Sequence, residues 1–339
     1  MIGISVYLND VDYSYLEMAV DNGVKEIFTS FKMIEEDYQR LLPSAKDLIE
    51  YCNQNQLTLI ADVDEQSACR FGFKTLYEFK TIGLTNIRID GGLSNHEIAE
   101  LSQDFTVYLN ASDIKGVDIE EQIKSGLNVN KCVAMHNFYP LESTGLSLEY
   151  FIQTNTMIRS YGIQVLAFIA GNKKLRGPVF NGLPTLERDR GSRPLVAYLQ
   201  MAELVDRVFI GDNQICKEEL ELINNIDTIE LRVKFYEECD IYDKELIIRP
   251  DYNDTLIRIT DRKMLKADTA GYIYQQSIGA ITIQNTNAIS RYQGEIQIIK
   301  GTLPSDGKKT VIGYVDTADI PLLKLIKPVH KIKFRNAND

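Results

Sequence analysis

The side chains best suited to chemistry stand at or near the ends of short apolar runs. Carboxylates occupy this position at Asp10, Asp62, Asp64, Asp90 and Asp212. An unpaired buried carboxylate is costly, so each of these groups must meet a partner, a ligand or water. For Asp64 and Asp212, a helix-capping role is an equal alternative. Asp62 and Asp90 lie within their apolar runs, where a cap is less natural, and they are the stronger candidates for chemistry.

Neutral hydrogen-bonding groups stand in equivalent positions. Asn110 closes one apolar run, and His136, Asn137 and Tyr139 form a single short turn at the end of another. A lone histidine is as often structural as functional, but these polar neighbours favour a turn that recognises a ligand. Since the chain has only three histidines, scattered along its length, we do not expect a metal site.

A long segment between residues 171 and 194 carries a local excess of positive charge. Its cations are Lys173, Lys174, Arg176, Arg188, Arg190 and Arg193. Connections of this length are usually functional, and such cations bind phosphate well. The segment therefore predicts a phosphate site, with a solvated charged loop as the alternative. Glu187 lies among these cations, which would lower its pKa and suit a nucleophile or an ion-pair anchor better than an acid.

The elements that must position these groups form a unit of strand and helix that recurs eight times. The predicted strands cover residues 2–8, 26–30, 58–63, 86–90, 106–110, 132–136, 164–169 and 207–210. Stretches of helical period lie between them, among them 15–21, 38–54, 76–81, 97–103, 148–161, 195–204 and 217–224.

Runs that are apolar along their whole length are typical of parallel strands covered by helices on both faces. Eight such strands, with no GxGxxG turn after the first, favour a (β/α)8 TIM barrel over an open doubly wound sheet. Barrel enzymes build their sites at the carboxyl ends of the strands, so the polar groups above are expected to meet on one face. The segment that follows the seventh strand stands where barrels commonly bind phosphate.

The pattern changes after about residue 228. Alternating segments replace helical periodicity at 229–236, 256–260, 280–284, 294–299 and 310–315, with turn-forming clusters between them. We therefore predict a catalytic barrel domain over 1–228 and a small, mostly β domain over 229–339. This second domain could form a lid, a surface for a homodimer or part of the pocket.

Composition excludes several classes of protein. The 48 acidic and 37 basic residues give a net charge of -11, which makes nucleic acid an unlikely partner. The five cysteines have no CxxC spacing, as expected in a reducing compartment. No run of 18 apolar residues predicts a membrane span, and no signal peptide precedes the first strand. We expect a cytoplasmic protein without a membrane partner.

Several segments together resemble one family. They are GISVYL at the start of the chain, the turn HNFYP with TGL after it, GLPTLERDR in the basic segment and RYQGEIQII in the tail. These segments are similar to the MupG-type 6-phospho-N-acetylmuramidases. The resemblance extends over nearly the whole chain and implies a TIM barrel joined to a cyclophilin-like β domain.

The activity that this resemblance implies is hydrolysis of the β-1,4 bond between N-acetylmuramic acid 6-phosphate and N-acetylglucosamine. The phosphorylated disaccharide would arise during cytoplasmic recycling of cell-wall sugars. The polar pattern of the family falls on Asp62, Asp90, Asn110, His136, Asn137, Tyr139, Thr185, Glu187, Arg190 and, in the tail, Arg258. Relatives can carry Pro-Glu after the first strand, where this chain has Leu8 and Asn9, so Asp10 would have to replace that glutamate.

Our hypothesis from the sequence is hydrolysis by two carboxyl groups without a metal or an organic cofactor. The expected pair is Glu187 with one of Asp62, Asp90 or Asp10. Which group is the acid stays open, as does the choice between retaining, inverting and substrate-assisted chemistry. The expected substrate contacts are Asn110, His136 and Asn137 for the sugar, and Arg190 with Lys173 or Arg176 for the phosphate.

Other functions remain alternatives. A metal-dependent sugar-phosphate isomerase or epimerase would need ligands that three histidines supply poorly. A pyridoxal-phosphate racemase would need a lysine at the end of a strand, and the first strand ends in Tyr7, Leu8 and Asn9. β-Elimination of the lactyl ether would need a base near C2 of the sugar. A module that binds sugar phosphates without chemistry would use the same basic segment.

Overall fold

A computed structural model describes residues 2–32, 38–251, 253–261, 264–268 and 276–338. The chain divides into two compact units, Met1–Asn224 and Asn225–Asp339. In the first unit, eight parallel strands close into a barrel in chain order, and helices alternate with them. The predicted TIM barrel followed by a second, β-rich unit is confirmed.

The barrel strands are β1 Ile2–Ser5, β2 Glu26–Ser30, β3 Thr58–Val63, β4 Asn86–Ile89, β5 Thr106–Asn110, β6 Cys132–Met135, β7 Gln164–Ile169 and β8 Arg207–Ile210. The helices are α1 Tyr13–Asp21, α2 Tyr38–Gln54, α3 Ser67–Arg70, α4 Asn95–Asp104, α5 Gly116–Lys124, α6 Leu148–Arg159, α7 Pro194–Met201 and α8 Lys217–Asn224. Short 3-10 helices cover Leu8–Asp10, Leu76–Ile82, Val129–Lys131 and Glu187–Asp189.

Large side chains from several strands fill a buried core of the barrel. Phe28, Phe168 and Phe209 belong to it, together with Ile60 and aliphatic residues of β6 and β7. Gly3 on β1 stands opposite Phe209 on β8, and a Cβ atom at this position would collide with the aromatic ring. The small residue in GISVYL therefore makes room for the core.

Two predicted elements differ in the structure. β1 ends at Ser5 and not at Leu8, and the 3-10 helix Leu8–Asp10 follows it. The segment Leu76–Ile82 is a 3-10 helix that starts in a capping box between Thr75 and Glu78 and ends at Gly83, whose φ of 90° suits glycine. Apolar spacing over so few residues does not distinguish the two kinds of helix.

The second unit contains one seven-stranded sheet. Its strands are β9 Thr228–Phe235, β10 Glu245–Ile247, β11 Leu256–Arg258, β12 Ala280–Gln284, β13 Ile296–Ile299, β14 Lys309–Val315 and β15 Lys331–Asn336, in the order β10-β15-β9-β14-β12-β13-β11. A bridge between Ile248 and Ile259, next to the two edge strands, curls the sheet towards closure. Similarity of this unit to cyclophilins stays a prediction.

Candidate active site

The carboxyl ends of β3 and β4 bring two carboxylates to one arginine. Asp62 and Arg88 are register neighbours on these strands. Arg88 Nη1 lies 2.7 Å from Asp62 Oδ1 and 3.5 Å from Asp90 Oδ1. Only 3% of the Arg88 side chain is exposed, against 10% for Asp62 and 21% for Asp90. Asp90 is therefore the more accessible carboxylate of the pair.

The two carboxylates lie close together. Because their nearest oxygens are within 3.5 Å of the same nitrogen, they are nearer than the about 6.5–9.5 Å that inverting glycosidases keep for a water molecule. Burial raises the pKa of Asp62, the positive charge of Arg88 lowers it, and the nearby Asp90 raises it again. The site can thus hold a proton on a carboxyl group beside a second carboxylate.

Asp90 is held by side chains that follow β2 and end β5. Lys32, two residues after β2, forms an ion pair with Asp90 and also donates to its backbone carbonyl. Asn110 at the end of β5 donates to Asp90 Oδ1 and to Asp113 Oδ2, both at 2.7 Å. The sequence predicted Asn110 as a residue of this site. It did not predict Lys32, because Lys32 belongs to no recognisable motif.

His136 lies beneath this surface. The side chain is fully buried, Nε2 lies 2.8 Å from Asn155 Oδ1, and Nδ1 lies 3.2 Å from Ser112 Oγ. Ser112 Oγ also accepts from the backbone N–H of Asn137, so it is free to donate its own hydrogen to Nδ1. Burial lowers the pKa of His136 to about 4, and the ring is neutral with its hydrogen on Nε2. We therefore no longer expect His136 to contact substrate directly.

The rest of the turn after β6 is tied to the same network. Asn137 Oδ1 accepts from Arg88, and its backbone carbonyl accepts from Thr185 Oγ1 at 2.8 Å. Thr185 is fully buried and also accepts from the N–H of Phe168 in β7. Tyr139 is half-buried, and burial raises the pKa of its hydroxyl. Asn137 and Tyr139 are the polar side chains of the turn that remain partly exposed, while Thr185 joins two loops.

Glu187 and Arg190 form a bidentate ion pair that links the loops after β6 and β7. Glu187 pairs with Arg190 through both oxygens, at 2.7 and 2.8 Å, and accepts from the N–H groups of Ser143 and Gly145. Arg190 additionally donates to the carbonyls of Asn181, Gly182, Tyr139 and Leu141. Hydrogen bonds from Arg190 and from the backbone lower the pKa of Glu187 to about 2. The pair anchors backbone, and no donor of Arg190 is left for a phosphate.

The other cations of the basic segment have different surroundings. Lys174 pairs with Asp10 at 2.7 Å, and Asn213 donates to the same carboxylate. The Arg176 guanidinium lies over the ring of Tyr7, 3.7 Å from its centroid. Arg193 pairs with Glu219, whereas Lys173 is exposed.

The loop after β8 carries a buried carboxylate that binds backbone groups of the segment after β7. Asp212 is fully buried and accepts hydrogen bonds from the backbone N–H groups of Gly171, Arg176 and Leu183. Burial raises the pKa of Asp212, and these three donors oppose the shift. The backbone donors that gather here thus hold a carboxylate of the chain and fix the shape of the long segment after β7.

Arg258 belongs to the second unit. It pairs with Glu295 at 2.8 Å and with Asp251 at 3.0 Å, and the hydrogen bond with Glu295 raises its pKa. Its predicted contact with substrate stays a prediction.

Within the described ranges, no three or more His, Cys, Asp or Glu side chains are grouped so that they could hold a metal ion. None of the helices described has the length and apolar character needed to cross a membrane.

Comparisons with known proteins agree with the architecture. Two family models match, described as the N-terminal part of 6-phospho-N-acetylmuramidase over residues 2–225 and its C-terminal part over 228–335. A conserved protein of unknown function from Enterococcus faecalis superposes with a TM-score of 0.89 at 27% identity, over 99% of this chain and 96% of that one.

An uncharacterized B. cereus protein superposes with a TM-score of 0.75 at 25% identity, over 99% of both chains. A comparison with curated proteins gives no match. The family models nonetheless cover both units of the chain, which confirms the resemblance seen in the sequence: the chain belongs to the 6-phospho-N-acetylmuramidase family.

Proposed function

We propose that the protein hydrolyses the β-1,4 bond between N-acetylmuramic acid 6-phosphate and N-acetylglucosamine. The observation that carries this proposal is the pair of carboxylates, Asp62 and Asp90, that Arg88 joins at the carboxyl ends of β3 and β4. Glycoside hydrolysis uses two such groups on either side of the scissile bond. The description of the family supports a phosphorylated amino sugar as the substrate.

Asp90 is the group that we assign to direct contact with the sugar. It is the more exposed of the two carboxylates, and Lys32 and Asn110 hold it in place. As an ionised group it would stabilise the positive charge that develops at the anomeric carbon, or position the 2-acetamido group for attack on that carbon. We propose retention of configuration: Asp90 or the 2-acetamido oxygen bonds to the anomeric carbon as the leaving oxygen departs, and a water molecule that Asp62 then deprotonates displaces this bond.

Asp62 is the group that we assign to proton transfer. Burial and the charge of Asp90 both favour its protonated form, and Arg88 opposes them. As substrate enters and displaces water, burial would favour the protonated form further. Asp62 would then protonate the leaving oxygen, with Arg88 reorienting towards Asp90 and Asn137.

Glu187 is not part of the catalytic pair that we propose. A carboxyl group whose pKa is about 2 is almost entirely ionised at neutral pH, and both of its oxygens already accept hydrogen bonds. It therefore suits the anchoring role, which the sequence had left open. Asp10 pairs with Lys174, and we assign it the role of holding that cation in place.

For the 6-phosphate we propose Lys173, Lys174 and Arg176, on the segment after β7. Lys173 and Lys174 are exposed, and the Arg176 guanidinium lies over the ring of Tyr7. Arg190 is excluded from this role because its N–H groups are engaged by Glu187 and by four carbonyls. The proposed biological setting is recovery of cell-wall sugars in the cytoplasm.

The test is mass-resolved product analysis of the purified protein. The phosphorylated disaccharide and its unphosphorylated twin would be incubated separately, each with and without a chelator. Release of N-acetylglucosamine from the phosphorylated disaccharide only, at the same rate with chelator, supports the proposal. An intact disaccharide contradicts it and favours the module that binds without chemistry, whereas inhibition by the chelator favours a metal-dependent enzyme.

A further inference from the structure

A cavity lined by both polar and apolar side chains opens beside Asp90, on the outer side of the strand ends. It has a volume of about 210 Å³ and lies between β4 and β5 and the first turns of α4 and α5. Asp90 and Asn110 form its edge towards the candidate active site, while Ile98 and Ile114 contribute an apolar surface. The cavity thus extends the candidate active site from Asp90 towards α4 and α5.

One wall of this cavity carries an unsatisfied acceptor. Gln122 on α5 is only 3% exposed, and its Nε2 donates to Asn95 Oδ1 at 3.0 Å. The orientation of Asn95 is set in turn, because its Nδ2 donates to Glu121 Oε2 at 2.7 Å. Gln122 Oε1 is therefore the end of the amide without a hydrogen-bond partner among the described residues, and it is buried behind the cavity wall, so a ligand reaches it when neighbouring side chains of the wall shift. A buried acceptor in this state is costly unless a ligand or water donates to it.

The other polar groups of the cavity define what such a ligand must be. Asp90, Asp113 and Asp118 present carboxylates, and the residues that line the cavity include no lysine or arginine. A phosphate would be repelled here. A neutral sugar ring fits, because its hydroxyl and acetamido N–H groups are donors and its C–H face and acetyl methyl group can contact the isoleucines.

We propose that this cavity is the subsite for the unphosphorylated N-acetylhexosamine of the disaccharide, with Gln122 as a residue that recognises it. This inference rests on the proposed function and adds an orientation to it. β4 and β8 lie on opposite sides of an eight-stranded ring closed in chain order. The neutral ring therefore binds over β4 and β5, and the phosphorylated ring extends towards Lys174 and Arg176 on the opposite side.

The experiment compares Gln122→Met with Gln103→Met. Both glutamines donate hydrogen bonds from neighbouring helices, but Gln103 bonds the backbone of Gly126 and lies outside the cavity. Binding of free N-acetylglucosamine is measured by ligand-observed NMR. Turnover is measured with the natural disaccharide and with an aryl glycoside of N-acetylmuramic acid 6-phosphate, in which the neutral sugar is replaced.

We expect Gln122→Met to weaken binding of N-acetylglucosamine about tenfold and to lower kcat/KM for the disaccharide by a similar factor. Turnover of the aryl glycoside should not change, and Gln103→Met should behave as the wild type. Equal binding of N-acetylglucosamine by both variants, or no binding by the wild type, overturns the subsite. If neither substrate is cleaved but binding still depends on Gln122, the proposed function fails and the subsite stands.

A second variant covers the case in which Gln122→Met does not fold. Ile114→Phe adds bulk at the edge of the cavity without removing a polar group. It should reduce binding of N-acetylglucosamine and spare the aryl glycoside. Unchanged binding by this variant contradicts the proposal independently.

Discussion

The two sides of the barrel mouth use charged residues in different ways. At the ends of β3, β4 and β5, Asp90 and Asn110 are partly exposed and border a cavity. In the loops after β7 and β8, Glu187, Arg190 and Asp212 form hydrogen bonds with backbone groups, and Glu187 also pairs with Arg190. The first side presents carboxylate and amide groups to a substrate, whereas on the second side these three residues fix the loops that carry the proposed phosphate-binding cations. The same residue types are therefore available for chemistry on one side and structural on the other.

The largest expected effect is on the open side, in Asp90→Asn. Loss of this charge should lower kcat by about a hundred- to ten-thousandfold, because such a group acts mainly in the transition state. Steady-state kinetics with the phosphorylated disaccharide measures it. Asp104→Asn is the matched control, since Asp104 is an exposed carboxylate paired with Lys80. A variant at Asp90 that keeps wild-type turnover would remove this residue from the mechanism.

The next effect concerns recognition of the phosphate. Lys174→Met should raise KM for the phosphorylated disaccharide about tenfold and leave kcat nearly unchanged, because the cation binds ground state and transition state alike. The exposed ion pair of Lys80 provides a control in Lys80→Met. If the Lys174 variant and the control have the same KM, the phosphate lies elsewhere.

On the closed side, Glu187→Gln should mainly reduce stability. The pKa of Glu187 is lowered to about 2 in the fold, so its contribution is present above the unfolded pKa near 4.5 and is lost as pH falls towards 2. We expect a lower Tm than the wild type at pH 7 and a shrinking difference below pH 4.5, measured by thermal unfolding monitored with circular dichroism. A variant with unchanged Tm that has lost turnover would return Glu187 to the catalytic pair.

The smallest effect is a gain in stability on replacement of Asp189, which lies next to the Glu187–Arg190 ion pair. This side chain is 1% exposed, and its Oδ1 lies 3.5 Å from Arg188 Nε, but neither oxygen accepts a hydrogen bond within the described ranges. Burial raises its pKa from 3.8 to about 6, against the charge of Arg188. The folded state holds the proton longer than the unfolded state, so stability falls as pH rises from about 4 to 6. Asp189→Asn should stabilise the barrel by about 2–3 kcal/mol above pH 6 and have little effect near pH 4.

Thermal unfolding at pH 4.5 and 7.5 checks this prediction. The variant Asp206→Asn is a suitable control, because Asp206 is exposed, pairs with Arg159, and as asparagine can still accept from the N–H of Val165. A gain in Tm that is equal at both pH values would mean that the Asp189 charge is not the cause.

Much of the candidate site could be predicted from strand ends. The apolar runs located Asp62, Asp90 and Asn110 on neighbouring strands, and the closed barrel brings them to one face. Lys32 and Gln122 could not be found in this way. Lys32 meets Asp90 from 58 positions earlier in the chain, and the unpartnered acceptor of Gln122 depends on how Asn95 and Glu121 orient each other.

The sequence by itself determined the barrel, the change to a β-rich second unit and the family. These follow from local periodicity and from short segments whose residues are read in order. Tertiary structure decided which charged groups are available. The environment of Glu187 is set by backbone groups 42 and 44 positions away and that of Asp212 by backbone 29 to 41 positions away, so no local pattern reveals that both are already satisfied. Hydrogen bonds between distant loops depend on the closed fold, and they alone distinguish a structural carboxylate from a reactive one.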